Sequence, residues 1–166
     1  ERNLLKGMQQ FILNYTRTYS DNKPHFSFID TVRFNSSALG ELSIFCGEDS
    51  SLISEVPLSM DEIRKKVKAL ITELNNMDSM SVKKNEVVIF HNFPHGYDTA
   101  LVSQIQQLCV NANHYGITVI LTNNVSAKNM VSADTMEYLK SFSLCIDNNR
   151  YHYDALGLNM PFSWYE

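Results

Sequence analysis

The chain has 166 residues, the length of one domain and enough to bury roughly 70% of its unfolded surface around a single core. Its 44% apolar and 19% charged residues place it among ordinary globular proteins. A net charge of -4 with a pI near 5.7 argues against non-specific binding to nucleic acid or anionic lipid. No apolar run approaches the ~20 residues that span a bilayer, and no signal-peptide pattern is visible. Cys46, Cys109 and Cys145 are odd in number, far apart and set in apolar stretches, which reads as buried free thiols of a reducing, cytoplasmic compartment.

In chain order, Leu4, Leu5, Met8, Phe11, Ile12, Tyr15 and Tyr19 recur at helical spacing, which predicts an amphipathic helix over residues 2–19. Asp21-Asn22-Lys23-Pro24 breaks it, and residues 25–29 read as a strand ending at Asp30. Residues 35–46 look irregular, with a short helical turn at 39–45, and a brief strand at 52–56 stops at Pro57. Ser59-Met60-Asp61-Glu62 is a capping box, followed by Ile63, Val67, Leu70, Ile71 and Leu74 on one helical face. The other face of this helix, at residues 59–76, carries Arg64, Lys65, Lys66 and Lys68. Glu86-Val87-Val88-Ile89-Phe90 is apolar on both faces, as a strand buried under helices must be. A helix over 98–113 ends at His114-Tyr115-Gly116, and strand 117–121, helix 132–140 and strand 142–146 complete the pattern.

Strands separated by helices of ten to fifteen residues predict an α/β fold, a mostly parallel sheet with helices on both faces. Ligands of such sheets bind beyond the carboxyl ends of the strands. The positions of interest are therefore Asp30-Thr31, His91-Asn92, Thr122-Asn123-Asn124 and Asp147-Asn148.

Over nearly the whole chain, this order resembles the FtsK/SpoIIIE-type P-loop ATPases. Asn3-Leu4-Leu5-Lys6-Gly7-Met8 matches the helix after the phosphate loop, Phe26-Ser27-Phe28-Ile29-Asp30 the next strand, and residues 59–76 the helix with a basic face. Val87-Val88-Ile89-Phe90 corresponds to the Walker B strand and Tyr115-Gly116-Ile117-Thr118-Val119-Ile120-Leu121-Thr122 to the sensor strand. Within the family the chain is similar to the tandem ATPase modules of type VII secretion coupling proteins, whose C-terminal modules can be degenerate. The resemblance implies a three-layer RecA-like module at 1–150, lacking a visible phosphate-loop strand, followed by an aromatic tail at 151–166.

The departures from the family bear on function. A phosphate loop needs glycines, a Lys for the phosphates and a Ser/Thr for Mg²⁺, whereas Arg2 and Asn3 stand where Lys-Ser/Thr belongs. The Walker B strand runs into His91-Asn92, neither of which supplies the hard anionic oxygen that Mg²⁺ prefers. Asn123, at the sensor position, is left with no γ-phosphate to sense. The degenerate nucleotide site is thus Arg2, Asn3, His91, Asn92 and Asn123, with no catalytic residue, no metal ligand and no cofactor expected, although ATP and Mg²⁺ serve the parent family.

Other constellations compete with this reading. His91-x-x-x-His95 has ligand-like spacing, and a Zn²⁺ site would add His114 or Asp98, but Pro94 prevents a helix that would align the two imidazoles. A basic helix face is usually solvated. The tail is rich in large apolar residues, and Phe162, Trp164 and Tyr165 have the composition of a binding hot spot.

The expected function is a non-hydrolysing module of a membrane-anchored secretion motor, acting in substrate recognition or regulation. Its expected partners are neighbouring ATPase modules of the same chain and secreted WXG-type proteins, with no direct nucleic acid and with the membrane reached through the parent chain. The alternatives are half of an active FtsK-like DNA or protein translocase and an unrelated metal-dependent α/β enzyme.

Overall fold

The computed structural model describes residues 2–19, 21–47, 52–77, 84–123, 131–141, 143–147, 150–153 and 158–161. Two compact units cluster separately, residues 1–128 and 129–166.

The first unit is an α/β domain with a five-stranded parallel sheet flanked by helices. Helix α1 (Arg2–Thr18) leads to β1 (His25–Asp30), a 3₁₀ segment (Ser37–Phe45) and two very short strands, β2 (Cys46–Gly47) and β3 (Ile53–Ser54). Helix α2 (Met60–Asn76), β4 (Glu86–Phe93), α3 (Thr99–Asn111), a 3₁₀ turn (Ala112–Tyr115) and β5 (Ile117–Asn123) follow. The strand order is β2-β3-β1-β4-β5, so β1 and β4 are central.

Side chains alternate across a strand, which splits the apolar residues of β1 and β4 between two layers. Phe26, Phe28, Val87 and Ile89 join Met8 and Ile12 of α1 and Leu39 and Leu42 of the 3₁₀ segment in one buried cluster. On the other face α2 and α3 pack together and bury Ile63, Val67, Leu70 and Leu74 together with Leu101, Ile105 and Leu108. The N-cap predicted at Ser59 forms, its hydroxyl accepting from the Glu62 N–H, but the Glu62 carboxylate reaches one residue further back than a capping box requires and accepts from the Leu58 N–H at 2.7 Å. Gly116 takes a left-handed φ of 78° where the chain turns from α3 into β5, and an added Cβ would lie 2.0 Å from the Lys84 carbonyl oxygen. A side chain is excluded there on both counts.

Three expectations need correction. Strand β4 does not stop at Phe90 but includes His91, Asn92 and Phe93, because Phe93 still pairs with Asn123 of β5. The last predicted strand is not part of the parallel sheet. Strand β6 (Cys145–Asp147) joins β7 (Arg150–Tyr153) and β8 (Leu158–Pro161) in an antiparallel meander of the second unit, which also contains α4 (Ala133–Ser141). The three cysteines are free, as expected, but half-buried rather than enclosed. Among the described residues, no helix is long and apolar enough to cross a membrane.

Candidate functional site

The carboxyl ends of β1, β4 and β5 meet at a buried polar cluster. Between Phe90 and Phe93, β4 advances three residues while β5 advances two, from Leu121 to Asn123. The extra residue makes a bulge, and Asn92 adopts a left-handed φ of 60°, a conformation Asn tolerates better than most residues. A bulge leaves backbone groups without their ladder partners. The Thr122 hydroxyl fills that gap: it accepts from the Asn92 N–H at 3.0 Å and lies 2.8 Å from His91 Nδ1.

His91 has no exposed surface. Its ring stacks at a tilt on Phe28, centroids 5.7 Å apart, on the α1 side of the sheet. The His91 carbonyl accepts from the Tyr97 hydroxyl at 3.0 Å. Burial drives the Tyr97 phenol far above its usual pKa, so it acts there as a neutral donor.

Asp30, the register partner of His91, is fully buried and locked in place. Its Oδ1 accepts from the N–H groups of Val32 (2.9 Å) and Arg33 (3.2 Å) and from Asn92 Nδ2 (3.2 Å), and its Oδ2 faces the Arg33 guanidinium at 3.5 Å. The Thr31 hydroxyl donates to the His95 carbonyl, tying the loop after β4 to the end of β1. Each side chain of this cluster has a partner within the protein itself.

The sequence-predicted positions are placed unevenly. His91 and Asn92 are brought together with Asp30, Thr31 and Thr122. Arg2 and Asn3 open α1, and Asn123 closes β5 beside Phe93. Phe162, Trp164 and Tyr165 lie outside the described residues. Tyr97 and Arg33 belong to the cluster, yet nothing in the sequence singles them out, because both reach it through loops whose course depends on tertiary contacts.

The histidine metal site does not assemble. His91 is enclosed whereas His95 is exposed, and His114 sits before the start of β5, at the opposite end of the sheet. Asp98 is committed elsewhere: it caps α3 by accepting from the Leu101 N–H and pairs with Arg64 at 2.7 Å. Among the described residues, no three His, Cys, Asp or Glu side chains are grouped to hold a metal ion. The basic face of α2 is likewise partly spent within the fold. Arg64 bridges Asp61 and Asp98, and Lys66 donates to the Ser54 hydroxyl and to the Glu55 carbonyl.

No protein-family model, curated protein or solved structure matches this chain.

Replacing Thr122 by Val removes the hydroxyl that satisfies the bulge. Thr122→Val is expected to cost about 1–3 kcal/mol, the penalty of an unsatisfied buried N–H, and Thr122→Ser to recover most of it in the same urea melts. Equal stability of the Thr122→Val variant and the unaltered protein would show that the hydroxyl does not hold the bulge.

A second test concerns pH. The Arg64 hydrogen bond and the Leu101 N–H hold the Asp98 carboxyl below its usual pKa. A depressed carboxylate stabilises the fold above its unfolded pKa, and that contribution is lost as pH falls through the lower, folded value. Asp98→Ala is expected to cost about 1 kcal/mol at neutral pH through the lost cap, with the exposed ion pair adding little. In acid melts this difference should shrink below the ordinary carboxylate range; a gap that persists there unchanged would rule out the ionised cap as its source.

Proposed function

We propose that this chain is a non-hydrolysing module of a RecA-like secretion motor, acting in substrate recognition or regulation in type VII protein secretion. One observation carries the reading. Where the resembled ATPases place the carboxylate that orders Mg²⁺, this chain has His91, with no exposed surface and its Nδ1 against Thr122. An enclosed imidazole cannot replace a carboxylate in organising Mg²⁺ and an attacking water. The buried carboxylate beside His91 in register, Asp30, is occupied by backbone N–H groups, Asn92 and Arg33.

Handedness supports the RecA-like assignment. The connections β3-α2-β4 and β4-α3-β5 both step toward the β5 edge, with α2 and α3 on the sheet face opposite α1. Parallel crossovers are right-handed in nearly all proteins. A crossover through α1, on the other face, must therefore run the opposite way, from a strand beyond β5 back to β1. On the proposed reading, that seat would belong to the phosphate-loop strand. In a protein that extends into the segment before α1, we expect slow hydrogen exchange for the β5 amides that point away from β4. Fast exchange at those amides in the longer protein would remove the support for a RecA-like sheet.

On this reading the partners are adjacent ATPase modules of the same chain and secreted WXG-type proteins. The aromatic tail at 151–166 offers a contact element, and the module is cytoplasmic, joined to the membrane through its parent chain. ATP and Mg²⁺ belong to the neighbouring modules. The competing reading, half of an active translocase, requires hydrolysis at this sheet end, and His91 disfavours it. Titration of the extended protein with Mg-ATP separates the two: we expect no turnover above the buffer rate. Micromolar affinity accompanied by turnover would overturn the proposal in favour of the translocase.

A further inference from the structure

We draw no further inference here: the strongest candidate, the exposed apolar face of the β6–β8 meander carrying Ile146 and Met160, has nothing in the structure to show what covers it.

Discussion

One hydroxyl holds the carboxyl end of the sheet together. The bulge at His91-Asn92 gives β4 one residue more than β5 can pair, and Thr122 compensates by serving the Asn92 N–H and the His91 ring at once. With the bulge fixed, the neighbouring contacts follow. Asn92 turns its amide onto Asp30, the His91 carbonyl meets Tyr97, and Phe93 regains its register with Asn123. Polar groups in such an enclosed place are costly when unpaired. The cluster is tolerable because most of its polar atoms bond within the protein.

This arrangement gives the functional reading its physical content. An α/β sheet offers ligands the space beyond its strand ends, and a working nucleotide site keeps carboxylate and hydroxyl groups there available to Mg²⁺ and water. In this chain those group types are present but turned inward, onto the protein. Asp30 caps its own loop and Thr122 mends a bulge. The same end of the fold that would serve catalysis in the resembled ATPases holds a largely buried cluster of polar groups bonded within the protein. The proposed role shifts accordingly from chemistry to contact.

Much of the architecture is legible in the sequence because it is written in local patterns. The N-cap at Ser59, the helical spacing of Ile63, Val67, Leu70 and Leu74, and the glycine after α3 mark their elements without help from the rest of the chain. The two-residue strand β2 is different, since pairing with β3 defines it and its sequence does not, whereas β3 lies within the strand expected at 52–56. The end of β4 is hidden for a related reason. A histidine and an asparagine after four apolar residues look like the start of a loop, and only the partner strand reveals a bulge with pairing resumed at Phe93. In the tail, Arg150–Tyr153 alternates polar with aromatic residues and Leu158–Met160 apolar with polar, but strands of four residues are too short for that alternation to stand out, and their antiparallel pairing defines them. For the site, the sequence identifies His91, Asn92, Asp30 and Thr122 as strand-end residues. It cannot indicate that they bond to one another rather than await a ligand.

The exchange rate of the Asn92 amide, followed by NMR with and without Mg-ATP, tests the closed strand end most directly. If Thr122 accepts this N–H in a buried bulge, the amide should exchange as slowly as the central core amides of β4, and the nucleotide should leave its rate unchanged. Rapid exchange, or protection that changes when Mg-ATP is added, would contradict the account and return the strand end to the role of a ligand site.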